Sequence, residues 1–361
     1  MPVETVDVSV ARPYPVVVGA GIDLGEIVSA TLEPGLCAIF TDSTVGLLHA
    51  ARVRDVLEGA GWRVAGTVEV PSGESSKSMD AYAGALRRLA RLGLTRDGTI
   101  FALGGGVVGD LGGFVAGTYL RGIDLVMLPT SLLAMVDSAV GGKVGIDLPE
   151  GKNLVGVFVR PRLVAADLDW LTTLPERELS NGLAETIKMG LLSGGDFFDD
   201  LGLIRASRAG DLDALQTLVL DSVGFKARVI IEDELEGGLR AILNYGHTIG
   251  HALEAAADYT LQHGQAVALG MLAAAGLSRK RFGRDLTDVH EELIGAAGLP
   301  RRVSGVRVEK ALLAMGRDKK RSAKDGPAGH RFVLLEDVGK PVRNVPVTDQ
   351  EASEAVGEVI E

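Results

Sequence analysis

The order of hydrophobic patterns along these 361 residues limits the possible folds more than any other feature. In the first half, short β-rich runs such as 36–41 and 99–103 alternate with helical stretches such as 78–92. This alternation predicts a mainly parallel sheet that is covered by helices on both faces. From about Leu174 the apolar residues recur with a helical period, which predicts a second, all-helical domain. We expect an α/β domain over 1–173 and a helical domain over 174–361, with a late strand and turn near 331–345 that could return to the first domain.

The charge and the cysteine content exclude several classes of function. A formal net charge of −11 disfavours binding to nucleic acid or to an anionic membrane surface. Cys37 is the only cysteine, so the sequence offers neither a disulfide framework nor a cysteine-based metal site. The N-terminus lacks the pattern of a signal peptide, and the longest apolar runs are too short to span a membrane. We expect a cytoplasmic, globular enzyme.

A glycine-rich turn follows the strand that is predicted at 99–103. The segment Gly104-Gly105-Gly106-Val107-Val108-Gly109 satisfies G-x-G-x-x-G where a strand leads into a helix, so its backbone amides could hold a pyrophosphate. The fingerprint is imperfect, because this is not the first strand–helix unit and Asp124 is the only acidic candidate about 20 residues later. The alternative is a turn whose glycines pack the helix tightly against the strand.

Three further loops follow predicted strands. They contain Thr41-Asp42, the segment 72–77 and Pro129-Thr130-Ser131. Ligands of open α/β sheets bind outside the carboxyl ends of the strands, so we expect these loops and the glycine-rich turn to line one crevice. Within 72–77, Glu74 and Lys77 could instead open a helix that Ser72 or Ser75 caps.

Three of the six histidines lie within seventeen residues. His247 and His251 are four apart, on one face of a predicted helix, and His263 follows twelve residues later. Upstream, Glu185 is a carboxylate on an otherwise apolar helix. Two imidazoles and one carboxylate would form an open Zn²⁺ site. The spacing leaves open which two histidines are ligands, and a buried histidine is more often a hydrogen-bonded core residue.

Cations and amide donors lie beside glycines in the middle of the chain, at Arg121, Lys143 and 151–153. Glycine lets backbone and side chains approach a ligand closely, so this pattern favours an anionic, phosphorylated substrate. Most lysines in any sequence are solvated, but Lys188 lies one turn after Glu185 and shares its helix face. The other cations of the helical half include Lys226, Arg240 and the cluster 317–321.

Six ordered segments identify a family resemblance that runs from about Tyr14 to Val342. They are GGGVVGDLGGFVAGTYLRG, LPTSLLAMVDSAVGGKVGID, GKNLVGVF, LTTLPERELSNGLAETIK, LNYGHTIGHALE and LQHGQAV. These segments resemble the family of 3-dehydroquinate synthase and its sugar-phosphate cyclase relatives. The sequence departs from the family pattern at Ser131, where threonine is usual, and at Gln265, where glutamate is more frequent. Gln265 is two residues from His263, so we expect it to affect the charge around a metal.

The resemblance implies a Rossmann-like NAD-binding α/β domain and a helical metal- and substrate-binding domain, with the active site between them in a homodimer. It implies that Glu185, His247 and His263 bind one divalent metal, Zn²⁺ or Co²⁺, whereas His251 faces the substrate. The implied NAD contacts are Asp42, Ser72, Gly73, Glu74, Lys77, Gly105, Gly106, Asp110, Thr130, Ser131, Lys143, Lys152 and Thr173. The implied substrate-handling residues are Asp137, Lys143, Asn153, Lys188, Lys226, Arg240, Asn244, His251, Lys320 or its neighbour Lys319, and Arg121, which reaches into the neighbouring subunit.

The reaction implied by the resemblance converts 3-deoxy-D-arabino-heptulosonate 7-phosphate to 3-dehydroquinate and phosphate, in the shikimate pathway. Transient oxidation by NAD⁺ precedes β-elimination of phosphate, re-reduction, ring opening and an intramolecular aldol closure. The nearest alternatives are a cyclase of the inosose or valiolone type and a metal-dependent polyol dehydrogenase. A regulatory nucleotide-binding protein with a dead active site is a third, and the intact Glu185, Lys143 and Lys188 argue against it.

Overall fold

The structure is a computed structural model that describes residues 2–194, 200–316 and 329–361. Their contacts divide into two compact units, which are considered separately below. Unit 1 contains the described residues up to Leu174 together with Lys226–Leu235, and unit 2 contains Pro175–Phe225 and the described residues from Glu236 onwards. The sequence had assigned 226–235 to the helical domain. These residues belong to unit 1 because the Lys226 side chain is held by Asp137.

The seven-stranded sheet of unit 1 confirms the prediction of a mainly parallel sheet. Its strand order is β1-β2-β9-β6-β5-β3-β4, and every neighbouring pair except β1–β2 is parallel. The central strands are buried on both faces, which explains why they read as continuous apolar runs. The strands are β1 Glu4–Val8, β2 Tyr14–Gly19, β3 Leu36–Asp42, β4 Arg63–Val70, β5 Thr99–Gly104, β6 Asp124–Pro129 and β9 Leu163–Asp167.

Helices and a separate hairpin complete unit 1. The hairpin joins β7 Lys143–Leu148 to β8 Gly151–Phe158 in antiparallel register and was not predicted from the sequence. Its second strand is largely exposed and lacks the alternation of a half-buried strand. The helices are α1 Leu24–Thr31, α2 Ser43–Val45, α3 Ala51–Gly59, α4 Met79–Arg91 and α5 Gly106–Thr118.

Unit 2 is mainly helical, as predicted, but it also contains an antiparallel hairpin. The hairpin joins β10 His330–Asp337 to β11 Lys340–Val347. It belongs to unit 2, where Leu335 N–H donates to Ser278 Oγ at 3.1 Å, whereas the sequence had left open a return to the first domain. The helices that lie wholly or partly in unit 2 are α6 Glu176–Ser193, α7 Leu201–Arg208, α8 Leu212–Glu232, α9 His247–Ala256, α10 His263–Phe282, α11 Thr287–Ala296, α12 Val308–Met315 and α13 Asp349–Glu358.

Close packing of α9 on α10 positions the histidines of unit 2. Gly246 precedes α9 with a left-handed φ of +76°, a conformation that favours glycine. A Cβ at Gly270, in the middle of α10, would collide with the carbonyl oxygen of Gly246. The two glycines therefore let the start of α9 approach α10 more closely than other residues would allow. Within the described residues, none of the helices has the length and apolarity that crossing a membrane requires.

Candidate functional site

The predicted loops converge at one edge of the unit 1 sheet. Strands β6, β5, β3 and β4 are consecutive neighbours and run parallel, so the loops that follow them share an edge. Thr130 N–H donates to Gly104 O at 2.9 Å, which joins the loop after β6 to the glycine-rich turn. Ser72 N–H donates to Ser43 Oγ at 3.2 Å and joins the two remaining loops.

The glycines of the turn have more than one role. A Cβ at Gly104 would lie 2.5 Å from Val108 Cγ2, so this glycine serves the tight packing of helix against strand. Gly105 and Gly106 instead face hydroxyls, since a Cβ there would lie 3.4 Å from Ser131 Oγ and 3.2 Å from Ser138 Oγ. Gly104 thus fits the packing interpretation of the motif, whereas binding of a pyrophosphate near Gly105 and Gly106 stays a prediction.

Lys77 is the centre of a polar network in unit 1, which we call the Lys77 network. Its ammonium lies 2.8 Å from Asp110 Oδ2 and 2.6 Å from Asn153 Oδ1, with Glu74 at 3.6 Å and Asp147 at 3.9 Å. Only 4% of the side chain is exposed. Burial opposes the charge, yet the surrounding carboxylates outweigh it and raise the pKa of Lys77. Glu74 begins a single 3₁₀ turn, Glu74–Ser76, that no side chain caps, and Ser78 rather than Ser72 or Ser75 caps the longer helix α4.

The same network reaches the β7–β8 hairpin. Asp147 N–H donates to Lys77 O at 2.7 Å, and Asn153 N–H donates to Asp147 Oδ1 at 2.7 Å. Asn153 has a left-handed φ of +52°, which costs free energy for a residue other than glycine. These hydrogen bonds hold Asn153 in that conformation. Asp147 is a residue that sequence reasoning missed, because one aspartate near the end of an unpredicted strand carries no distinctive signal.

The remaining predicted residues of unit 1 have diverse surroundings. Lys226 Nζ lies 2.5 Å from Asp137 O and 2.6 Å from Asp137 Oδ1, so these two are brought together. Thr173 Oγ1 lies 3.1 Å from Nε2 of His49, which the sequence did not single out. Asp42 caps α2 by accepting from the N–H groups of Thr44 and Val45, and the Lys152 ammonium lies 3.5 Å from Glu74. Lys143 is exposed at the start of β7, and Arg121 is exposed and has a φ of +68°.

Three helices of unit 2 bring four predicted residues together. Glu185 and Lys188 lie on α6, His247 begins α9, and His263 begins α10. The Lys188 ammonium pairs with Glu185 Oε2, as their shared helix face predicts. We call Glu185, His247 and His263 the unit 2 cluster. Their ligand atoms lie within 4.8 Å of one another.

The spacing of the unit 2 cluster fits a bound cation. Glu185 Oε1 lies 3.4 Å from His247 Nε2 and 3.4 Å from His263 Nε2. Two ligand atoms at about 2.1 Å from a tetrahedral metal are separated by roughly this distance. Both oxygens of Glu185 are buried and accept no hydrogen bond of regular geometry from the described residues. Because a buried carboxylate requires compensation, this donor set suits a divalent ion.

The charges around the cluster reinforce that fit. Burial opposes the ionised form of Glu185, but Lys188 and then His263 outweigh it and lower its pKa to about 2. Burial likewise opposes a charge on His263, but contacts with Glu185 and Glu254 raise the pKa of His263 to about 10. Two carboxylates therefore attract positive charge to this position, which a metal ion also supplies.

Three residues behind the cluster were not predicted. His247 Nδ1 lies 3.1 Å from Tyr245 O, so an N–H at Nδ1 leaves Nε2 to face Glu185. The Tyr245 hydroxyl lies 2.8 Å from His290 Nε2, and His290 Nδ1 lies 2.7 Å from Leu286 O. Glu254 Oε1 lies 3.5 Å from His263 Nδ1. The contacts of Tyr245 with His290 and of Glu254 with His263 join segments that are apart in sequence, so only tertiary packing reveals them, whereas the contact of Tyr245 with His247 is local.

Other predicted residues of unit 2 lie outside the cluster. His251 also approaches Glu254 and His263 in a second group of possible ligands. Gln265 Oε1 accepts from Gln262 N–H at 3.2 Å in a capping box, so the side chain caps α10. Arg240 is buried, and Asn244 Nδ2 donates to Glu236 Oε1 at 3.2 Å. Lys319 and Lys320 lie outside the described residues.

Comparison with known proteins identifies the family. Residues 67–181 match the family described as 3-dehydroquinate synthase N-terminal, and 182–321 match 3-dehydroquinate synthase C-terminal. A 3-dehydroquinate synthase of Caulobacter vibrioides (strain NA1000 / CB15N) is 47% identical over 341 residues, 91% of each chain.

Two solved structures resemble the whole chain. One is 2-deoxy-scyllo-inosose synthase complexed with carbaglucose-6-phosphate, NAD⁺ and Co²⁺, at 27% identity and a TM-score of 0.90, with coverage of 99% of this chain and 100% of that one. The other is 2-epi-5-epi-valiolone synthase from Streptomyces hygroscopicus subsp. jinggangensis 5008 with NAD⁺ and Zn²⁺ bound. It is 26% identical, with a TM-score of 0.85 and 96% of each chain covered. The extent of the sequence matches shows that this chain belongs to the 3-dehydroquinate synthase family.

Proposed function

We propose that this chain is a 3-dehydroquinate synthase that converts 3-deoxy-D-arabino-heptulosonate 7-phosphate to 3-dehydroquinate and phosphate. The observation that carries the proposal is the unit 2 cluster, whose spacing suits a divalent ion in a chain of this family. The enzyme would be a carbon–oxygen lyase that depends on NAD and on one divalent metal. The cofactors named with the two cyclase structures support this dependence.

Unit 1 would hold the nucleotide. The glycine-rich turn supplies backbone amides at the start of α5, where a pyrophosphate is favoured. Gly105 and Gly106 let it approach the hydroxyls of Ser131 and Ser138, and the Lys77 network fixes the adjoining loop. The other proposed contacts are Asp42, Ser72, Gly73, Glu74, Asp110, Thr130, Lys143, Lys152 and Thr173.

Unit 2 would hold the metal through Glu185, His247 and His263. When bound, the metal would acidify a substrate hydroxyl, and NAD⁺ would supply the acceptor for the hydride of the carbon that bears this hydroxyl and would later return it. His251 is proposed to face the substrate rather than the ion. Its ring nitrogen lies within 4.8 Å of Glu254 and His263, and an imidazole beside the substrate can exchange a proton with a substrate oxygen.

Cations and amides of the chain would handle the substrate's anionic groups. The ketone formed by oxidation acidifies the neighbouring C–H, so the C–O bond to phosphate breaks as the substrate's own phosphate group takes that proton. Lys143 and Asn153 are proposed to stabilise the departing phosphate. Arg240 and Asn244 are proposed to bind the carboxylate, and a guanidinium suits that group because it can donate two parallel hydrogen bonds. Asp137, Lys188, Lys226 and Lys320 complete the proposed substrate contacts.

The proposal includes a cytoplasmic homodimer in which Arg121 reaches the neighbouring subunit. Arg121 is exposed on a strained turn, with a φ of +68°, and follows Leu120, which is 42% exposed. An exposed arginine beside an exposed leucine is typical of residues that contact another chain. Cys37, the single cysteine, is buried and unpaired by a disulfide, as suits a reducing compartment.

Substrate choice tests the proposal. The purified chain, loaded with Co²⁺ and NAD⁺, is given the heptulosonate phosphate or glucose 6-phosphate, which lacks a carboxylate. We expect phosphate release from the first substrate and a cyclic product with the mass of 3-dehydroquinate. Turnover of glucose 6-phosphate alone would instead assign the chain to the inosose type.

A further inference from the structure

One side of the His263 ring is directed to Glu185 and the other to Glu254. Nε2 lies 3.4 Å from Glu185 Oε1, whereas Nδ1 lies 3.5 Å from Glu254 Oε1. The two carboxylates come from different helices, α6 and α9, and the imidazole from a third, α10. His263 is therefore held between two acidic groups, only one of which belongs to the unit 2 cluster.

Glu254 is a carboxylate buried within helix α9. It lies in α9 seven residues after His247, on the same face of the helix, and only 2% of it is exposed. A buried carboxylate is costly unless it is paired, so its place in a helix interior calls for a partner. His263 supplies an N–H for that purpose at the outer limit of hydrogen-bond distance.

We propose that Glu254 is a positioning residue for His263, and that it accepts the Nδ1–H and thereby directs the Nε2 lone pair to a metal ion. The proposal rests on the function proposed above, in which Glu185, His247 and His263 bind the ion. A carboxylate behind a metal-bound histidine fixes the ring orientation and its tautomer and increases the basicity of the ligand nitrogen. Tyr245 O has the same relation to His247, so each histidine of the cluster has an acceptor behind it.

The roles of the two acceptors differ in charge. The acceptor behind His247 is a neutral carbonyl oxygen, whereas the acceptor behind His263 is a carboxylate. A carboxylate accepts a stronger hydrogen bond from Nδ1–H than a carbonyl oxygen does. It therefore increases the basicity of Nε2, the nitrogen that would bind the metal, by a larger amount. Loss of Glu254 should therefore weaken metal binding without removing a ligand.

Metal affinity measured by chelator competition tests this role. Zn²⁺ and Co²⁺ dissociation constants are determined for metal-free protein carrying E254A, E254Q or E254D, with thermal unfolding as a check of folding. We expect E254A to bind each ion roughly 10- to 100-fold more weakly. E254Q should bind with an intermediate affinity, because its amide oxygen still accepts the Nδ1–H. Every variant should keep the visible absorption bands of bound Co²⁺, since the ligands are unchanged.

Glu178→Gln is a matched control. Glu178 Oε1 accepts a hydrogen bond at 2.8 Å from Nε2 of Gln262, the residue that precedes His263. The hydrogen bond thus involves the neighbour of His263 and not the imidazole ring. This variant removes a carboxylate at the start of α6, the helix that carries Glu185, and should leave the metal affinity unchanged.

Other outcomes separate the proposal from its premise. Wild-type affinity in both E254A and E254Q would overturn the positioning role. Altered Co²⁺ bands in E254A, or two ions per wild-type chain, would make Glu254 a ligand and overturn it as well. If the wild-type chain itself binds no metal, the proposed function fails first and the role of Glu254 fails with it.

Discussion

The Lys77 network and the unit 2 cluster are both buried groups of charged residues, but their spacing differs. In the Lys77 network the ammonium lies 2.6–2.8 Å from its nearest partners, which is direct hydrogen-bond distance. In the unit 2 cluster each imidazole nitrogen lies 3.4 Å from the Glu185 oxygen. The first distance is typical of groups that hold a loop in place, and the second of groups that surround an ion. Spacing therefore distinguishes charged groups that pair directly with one another from groups that leave room for an ion, which residue type alone does not.

The largest expected effect concerns the histidines of unit 2. His247→Ala removes a proposed ligand, so we expect metal affinity to fall more than about 100-fold and activity to disappear with the metal. This loss would exceed that caused by removing a residue that only hydrogen-bonds a ligand. His251→Ala is the matched control and should retain the metal while losing activity. Metal content by elemental analysis and phosphate release measure the two effects. Equal loss of metal in both variants would contradict the ligand assignment.

Lys77→Ala tests the other side of the comparison. Removal of this buried ammonium leaves Asp110 without its nearest cation, so the free energy of unfolding should fall by about 3–5 kcal/mol. Lys280→Ala is the control, because Lys280 is 39% exposed and pairs with Glu354 at 2.9 Å. It should cost at most about 1 kcal/mol. Urea denaturation of the metal-free protein measures both, and similar losses would contradict the structural role of Lys77.

A smaller effect tests the hydrogen bonds behind the unit 2 cluster. Burial lowers the pKa of His290 to about 4, so the folded chain holds this ring neutral while the unfolded chain protonates it near 6.5. The stabilisation is therefore complete above pH 6.5 and is lost progressively as pH falls towards 4. Between pH 7.5 and 5.5 the wild type should lose about 1 kcal/mol more unfolding free energy than His290→Gln. Parallel pH dependence in the two proteins would show that His290 is not held neutral.

Much of the fold could be predicted because the signal is local. Buried parallel strands such as β3 and β5 are continuous apolar runs, and helices of unit 2 such as α9 and α12 have one apolar face. The β7–β8 hairpin could not be predicted, because its exposed strand and its glycines follow no hydrophobic pattern. Its turn is instead fixed by Asp147 and Lys77, which contact each other only through tertiary structure.

The candidate site, like the fold, could be predicted only in part from the sequence. Clustered histidines and a carboxylate on an apolar helix pointed to a metal, whereas the choice of ligands depended on the family resemblance. Glu254 carried no signal, because one glutamate within a helix is ordinary until α9 packs against α10. Gln265 drew attention through its sequence distance from His263, yet its side chain caps the helix.

In the proposed reaction NAD⁺ is reduced and then reoxidised in each turnover, so phosphate elimination consumes no NAD⁺. The most direct measurement follows phosphate release and absorbance at the NADH band together, with Zn²⁺-loaded protein, excess heptulosonate phosphate and NAD⁺ at the concentration of the protein. We expect many phosphates per NAD⁺ and no net NADH at completion. One NADH for each substrate consumed, without phosphate release, would contradict the account and indicate a polyol dehydrogenase.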